Sequence, residues 1–289
     1  MSFSAGKTSK LPDILAGPMV EPYPSKRLGQ HFLRDQRTIQ RIIEALKPKA
    51  DETIIEIGPG TGALTASLVE RAGRVVAVEF DKKLGPLLSE RFAASSNFRL
   101  VMADALTTDF CVEIKPASSA RLVANLPYNI STAILQRLIA QRACLEEMVL
   151  MLQREVVERV LAPPGTSDRG FISVLVEAYC EAEKLFDVAP GAFRPPPKVW
   201  SSVMRLTSRP RINADIADEE LLWATVSAGF AQKRKTMLNN LRHSSGRLQE
   251  TLKRNGGASI VLCKAGVDLQ RRAETLTVEE WSQIVQSMT

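Results

Sequence analysis

The stretch TIIEIGPGTGALT, Thr53–Thr65, decides how this chain folds. Its β-branched opening predicts a buried strand, and the apolar spacing that begins at Ala63 predicts a helix. Between them Gly58, Gly60 and Gly62 recur at every second position. Glycine tolerates the tight turn and lets a ligand approach the backbone closely. The next β-branched run, RVVAVEF, carries Glu79, 21 residues beyond Gly58. An acid at that distance can accept hydrogen bonds from ribose hydroxyls, so the turn predicts a cofactor that contains a nucleoside. NAD and S-adenosylmethionine both satisfy this feature.

Strand and helix patterns continue to alternate through KLGPLLSERF, FRLVMAD, RLVANLP, TAILQRLIAQ and EMVLMLQ. That alternation predicts an α/β fold with a mostly parallel, doubly wound sheet. After Gln153 come a helix (REVVERVLA), a loop (PPGTSDRG), a second helix (FISVLVEAY) and a strand from Lys184 to Val188. The proline-rich GAFRPPPKV and a last strand, SSVMRLTSR, follow. Composition then changes in PRINADIADEE, where Asn213 or Asp215 could cap a new helix. Beyond it ELLWATVSAGFAQ, KTMLNNLR, GRLQETLKR and TVEEWSQIVQSM all read as helices. The chain is therefore expected to comprise a flexible tail (1–26), an α/β domain (27–210) and a small all-helical domain (211–289).

The 289 residues carry 38 Lys and Arg against 32 Asp and Glu, a formal charge of +6. A surface that leans basic suits an anionic partner. Four cysteines with no CxxC, and only two histidines, argue against a zinc site or a disulfide scaffold and predict a reducing, cytoplasmic setting. The first 26 residues hold no sustained apolar core, and no window approaches the roughly 20 apolar residues of a spanning helix. No membrane partner and no metal are expected.

Asp104 ends the third strand in LVMADAL. Its carboxylate could receive the exocyclic amine of an adenine, or it could cap the following helix. The fourth strand ends in LVANLPYNIST, Leu122–Thr132. Pro127 keeps Leu126 out of the helical region, so the Leu126 carbonyl is not consumed by a helix. With the amide oxygen of Asn125 it makes two acceptors side by side, next to the flat ring of Tyr128. Such a pair suits a planar amine such as N6 of adenine, whose lone pair is delocalised. Acceptors on both N–H bonds pull the nitrogen toward tetrahedral geometry as a methyl group arrives. The same residues could instead shape a strand-ending turn with Tyr128 in the core.

In order along the chain, GQHFL, EIGPGTGALT, VEFD, ADAL, NLPYNIST, MLQREVVERV, AFRPPPKV and FAQKRKTMLNNL resemble the small-subunit ribosomal RNA adenine dimethyltransferases, the KsgA/RsmA family. The resemblance runs from about Arg27 to near the C-terminus. It implies a Rossmann-like class I methyltransferase that uses S-adenosylmethionine to make N6,N6-dimethyladenine at two adjacent adenines. Those adenines lie in the 3′-terminal hairpin loop of 16S rRNA, in an immature 30S subunit. It implies cofactor contacts from His31, Leu33, Gly58, Glu79, Asp104 and Asn125, with Gly60 and Ala105 beside them. His31 stands where the family often carries asparagine. Catalysis would fall to Asn125, Leu126, Pro127 and Tyr128, and Phe193 resembles the aromatic that closes over the target base.

From Phe193 to Arg211 there are five basic residues and no acid; from Gly229 to Arg254 there are seven against Glu250. Arg194, Lys198, Lys233, Arg234 and Lys235 are the expected phosphate contacts. A monomer is expected. An NAD-dependent dehydrogenase would leave NLPY without a use, and a nonenzymatic assembly factor would have no need of the Gly58, Glu79, Asp104 and Asn125 set. A related adenine methyltransferase acting on 23S rRNA or DNA would share those residues, but AFRPPPKV and FAQKRKTMLNNL favour the small-subunit substrate.

Overall fold

The computed structural model describes residues 24–25, 28–209 and 218–289. Strand β1 (Phe32–Leu33) and helix α1 (Gln36–Leu46) precede the glycine turn. Strands β2 (Thr53–Ile57), β3 (Arg74–Glu79), β4 (Phe98–Met102), β5 (Ala120–Asn125) and β6 (Leu145–Gln153) then alternate with α2 (Ala63–Val69), α3 (Gly85–Arg91), α4 (Phe110–Glu113) and α5 (Ser131–Ala140). Helices α6 (Arg154–Val160) and α7 (Phe171–Tyr179) lead into β7 (Cys180–Val188), the short β8 (Phe193–Arg194) and β9 (Ser201–Ser208).

Seven strands form one sheet in the order β4-β3-β2-β5-β6-β9-β7. The first five run parallel, and β9 lies antiparallel to both β6 and β7. The mostly parallel sheet expected from the sequence is present, and β7 extends further back than Lys184. Alternation along the strands explains why both faces are covered. Ile54, Val75, Val123 and Val149 pack with Ile42 and Ile43 of α1 and Leu68 of α2. Ile55, Leu122, Ala124 and Leu150 pack with Leu135 and Leu138 of α5 and Leu175 of α7. Strands buried on both sides must be apolar at nearly every position, which is why TIIEI and RLVA carry so few polar residues.

The chain winds outward from β2 to β4 and returns to place β5 on the other side of β2. The strand order reverses there, and a crevice opens beyond the carboxyl ends of β2 and β5. Both the glycine turn and NLPY leave the sheet at that point.

Among the described residues five further helices follow: α8 (Glu219–Gly229), α9 (Met237–Arg242), α10 (Gly246–Arg254), α11 (Ala258–Lys264) and α12 (Val278–Gln286). Helix α11 is an addition to the expected set; its seven residues are too few for a clear period. The boundary near residue 210 and the caps expected at Asn213 or Asp215 lie outside the described residues, as does nearly all of the 1–26 tail. Helix α8 is capped by Asp218, which accepts the Leu221 N–H at 2.9 Å. These helices do not form a separate core. Leu222, Val226 and the fully buried Trp281 belong to the same apolar cluster as Leu122 and Leu175. The Trp223 indole N–H donates to the Tyr179 hydroxyl at 3.0 Å, and Arg142 pairs with Glu219 at 2.6 Å.

One expectation is corrected. Cys111 and Cys144 form a disulfide, with Cα atoms 5.5 Å apart. The two lie 33 residues apart in sequence, on α4 and on the turn into β6. Only the side-by-side packing of neighbouring βα units brings them together, and no sequence spacing announces it. Cys180 and Cys263 are free. No helix among the described residues is long and apolar enough to cross a membrane.

Candidate active site

Beyond the ends of β2, β3, β4 and β5 lies a cavity of about 280 Å³. Ten of the expected site residues line it: His31, Gly58, Gly60, Glu79, Asp104, Ala105, Asn125, Leu126, Pro127 and Tyr128. They come from five separate segments, and the topology alone assembles them.

Gly58 and Gly60 hold φ values of +67° and +60°, in the left-handed region that disfavours a side chain. A Cβ on Gly60 would also meet the Phe32 ring at 3.0 Å. The turn therefore presents bare backbone to the cavity. Glu79 is 5% exposed, and its carboxylate accepts the N–H of Asp81 at 2.8 Å and of Gly60 at 3.2 Å. Burial pushes its pKa up, against those two backbone bonds, which favour the charged form. A ligand hydroxyl that donates to this carboxylate replaces solvation the site has removed.

Asp104 does not cap a helix; α4 is capped by Asp109. Its Oδ1 instead accepts the Leu106 N–H at 2.9 Å. Oδ2 has no hydrogen bond among the described residues, and Asp104 lines the cavity.

At the end of β5 the Asn125 side chain has its orientation set. Nδ2 donates to the His31 carbonyl at 3.0 Å. The amide oxygen is thereby left as the free acceptor. The Leu126 N–H is used by the Met151 carbonyl at 3.0 Å, while the Leu126 side chain is buried in the core. Its carbonyl makes no hydrogen bond among the described residues. Neither oxygen has a hydrogen-bond partner among the described residues.

Tyr128 is half-buried, and its hydroxyl shares a 2.7 Å hydrogen bond with Ser201 Oγ of β9. Burial raises the phenol pKa, so it stays protonated at neutral pH. The His31 ring lies over Tyr128 with centroids 5.4 Å apart and planes inclined by 28°. His31 Nδ1 reaches the Pro195 carbonyl at 2.7 Å. His31 therefore joins β1, NLPY and the proline-rich segment at the cavity mouth.

Leu33 and Phe193 are not brought to the cavity wall. Each is 4% exposed and packs in the core with Ile39, Ile43 and Val203. They face each other in the β1–β8 pair, with Phe32 opposite Arg194. In this conformation Phe193 anchors the proline-rich segment, and with it the Pro195 carbonyl that His31 meets.

Sequence reading missed Gln30, Phe80 and Ser201. Gln30 lines the cavity and donates to Asp81 Oδ2 at 3.0 Å, tying the segment before β1 to the turn after Glu79. Phe80 lines it as well, 56% exposed. An aromatic directly after a strand-ending acid was the available signal for Phe80. Nothing in the sequence marks Ser201, which meets Tyr128 only through the sheet order.

The basic residues divide by their partners. Arg205 pairs with Glu183 at 2.7 Å and Glu147 at 3.3 Å, Arg209 with Glu181, and Arg247 with Asp218 and Glu220. Arg194, Lys198, Lys233, Arg234 and Lys235 are exposed and have no ion pair among the described residues. The last three lie in the loop between α8 and α9, not on a helix face.

A doubly wound sheet whose switch point gathers a glycine turn, two strand-end acids and a strand-end NLPY defines a Rossmann-like class I methyltransferase with a helical C-terminal part. The sequence profile of the ribosomal RNA adenine dimethylase family matches residues 24–288, and the chain belongs to that family. It is 44% identical over 257 residues to ribosomal RNA small subunit methyltransferase A of Nitrosococcus oceani, covering 89% of this chain and 92% of that one. The protein of the same name from Geobacillus thermodenitrificans is 39% identical over 263 residues, covering 90% and 89%. Among solved structures, a dimethyladenosine transferase from Plasmodium falciparum superposes with a TM-score of 0.73 at 25% identity, over 89% of this chain and 96% of that one. The 23S rRNA methyltransferase ErmE gives 0.62 at 27% identity, over 89% and 99%.

Proposed function

We propose that this protein transfers methyl groups from S-adenosylmethionine to N6 of two adjacent adenines in the 3′-terminal hairpin loop of 16S rRNA, giving N6,N6-dimethyladenine. In this reading it acts as a cytoplasmic monomer on an immature 30S subunit. Family membership and the small-subunit names of the relatives support the substrate. The observation that carries the chemistry is the free pair of acceptors at Asn125 Oδ1 and the Leu126 carbonyl, beside Tyr128.

The cavity fits the cofactor. Gly58 and Gly60 hold positive φ values that disfavour a side chain and keep the turn as backbone at the cavity, Glu79 offers a carboxylate to ribose hydroxyls, and Asp104 offers one to the adenine amine. His31 and Ala105 complete the wall. When bound, S-adenosylmethionine supplies an electrophilic methyl group. The protein's own share is to hold the target nitrogen. Asn125 Oδ1 and the Leu126 carbonyl accept its two N–H bonds before the first transfer, and one of them accepts the single N–H that remains before the second. Both favour a localised lone pair, while Tyr128 stacks on a base swung out of its loop. Because the Asn125 amide is already held by His31, no reorientation is needed as charge develops. The methylated nitrogen is itself acidic, so the cavity needs no strong base.

Exposed, unpaired Arg194, Lys198, Lys233, Arg234 and Lys235 would neutralise rRNA phosphates, with recognition resting on the shape of the folded RNA. The test is methyl transfer from labelled S-adenosylmethionine to undermethylated 30S particles, with 50S particles and duplex DNA alongside, read by nucleoside mass spectrometry. Dimethyladenine only in 16S rRNA is expected. Label in 23S rRNA or DNA would reassign the substrate, and no label despite cofactor binding would leave an assembly factor.

A further inference from the structure

Trp200 is 48% exposed and Val199 beside it 41%. Trp281, by contrast, is fully buried, and the Trp223 indole N–H is bonded to Tyr179. Neither the ring nor the N–H of Trp200 has a partner among the described residues. Single exposed hydrophobic residues are common and need no explanation. The placement of this one is what matters.

Trp200 immediately precedes Ser201, which is fully buried and bonded to the Tyr128 hydroxyl at 2.7 Å. Consecutive Cα atoms are about 3.8 Å apart, so Trp200 stands next to the anchor of the residue expected to stack on the target base. Its backbone is also fixed: the Trp200 carbonyl accepts the Arg154 N–H at 2.9 Å, at the start of α6. Cations lie near it, Arg194 and Lys198 in sequence and Arg154 through that backbone bond. Arg194 and Lys198 are exposed and without ion pairs among the described residues, and Arg154 is exposed and loosely paired with Glu158 at 3.5 Å. A flat apolar surface set among cations fits an unpaired nucleotide, which offers a base to stack and a phosphate to neutralise.

We propose that Trp200 is a stacking platform for an unpaired nucleotide flanking the target adenine, held there by Arg194 and Lys198 on its phosphates. The inference rests on the rRNA reading above and adds a second base contact to the one at Tyr128. Recognition of splayed bases by aromatic rings is a general mode for single-stranded RNA.

The test is steady-state methylation of undermethylated 30S particles by wild type, Trp200→Ala and Trp200→Phe, with cofactor affinity measured by calorimetry. Trp200→Ala is expected to raise KM for the particle about tenfold, since a lost base stack is worth that much or more, with a far smaller change in kcat. Cofactor affinity should not move, because Trp200 does not line the cavity. Trp200→Phe keeps a ring and should restore most of the loss. Ultraviolet crosslinking should join the Trp200 peptide to a 16S rRNA nucleotide near the modified adenines. An unchanged KM in Trp200→Ala overturns the inference alone, as does a crosslink to a ribosomal protein instead of RNA. Wild-type protein that methylates no 30S particle overturns the substrate reading and this inference together.

Discussion

The side-chain amide of Asn125 donates to the backbone carbonyl of His31 across 3.0 Å, so a residue 94 positions away decides which atom of that amide faces the cavity. An asparagine free to flip would offer a donor as often as an acceptor. Here the β1 segment settles the matter before any ligand arrives.

Asn125→Ala removes that acceptor while leaving the Leu126 carbonyl and the fold. Methyl transfer to 30S particles should fall about 10²–10³-fold, in line with loss of one preorganised group at a transition state. Particle binding in a filter assay should be unchanged. Wild-type turnover by a folded variant would defeat the two-acceptor mechanism.

Glu79 is tied to the glycine turn through Gly60 as well as facing the cavity. Glu79→Ala should weaken S-adenosylmethionine binding about 10- to 100-fold by calorimetry, as expected for lost hydrogen bonds to a charged group. Glu79→Gln keeps an acceptor and should lose less. Equal affinities in all three proteins would remove Glu79 from the site.

Glu56 gives a prediction in pH. It is 2% exposed, accepts the Thr65 hydroxyl at 2.6 Å, and burial raises its pKa from 4.5 to about 7. Between those values the folded chain holds a proton that the unfolded chain has released. Stability therefore drops as pH climbs through that window, by about 3 kcal/mol in all, and levels off above it. Glu56→Gln has no such proton to lose. In urea unfolding the variant should gain on wild type between pH 5 and pH 8, and parallel curves would contradict the assignment.

The loop between α8 and α9 should act through charge alone. Replacing Lys233, Arg234 and Lys235 together by alanine should lower the salt slope of 30S binding by roughly two. Arg205→Ala, whose cation is already paired with Glu147 and Glu183, should leave that slope nearly unchanged. Identical slopes for the wild type and the triple variant would place the RNA elsewhere.

Much of the site could be read before folding, because its groups sit where strands end and strand ends are visible in sequence. Gly58, Glu79, Asp104 and Asn125 each close a short, largely apolar run, and a parallel sheet must bring such ends to one edge. What could not be read were contacts made across the sheet order. Ser201 reaches Tyr128, and Cys111 reaches Cys144, only because of which strand lies beside which. Phe193 shows a different limit: the base contact expected of it came from the family resemblance alone, and in this conformation the β1–β8 pairing holds the ring in the core. The KRK run could be read as basic but not as a loop, since lysine and arginine are good helix formers.

The sharing of one apolar cluster by the sheet and the C-terminal helices has a geometric consequence. A hinged pair of lobes could adjust its span to different RNAs, but a continuous core acts as a caliper with fixed jaws. The interval between the α8–α9 loop and the Tyr128 pocket is then a length built into the protein. On the function proposed above, an RNA would be accepted when its own folding offers a phosphate ridge and a swung-out adenine at that interval.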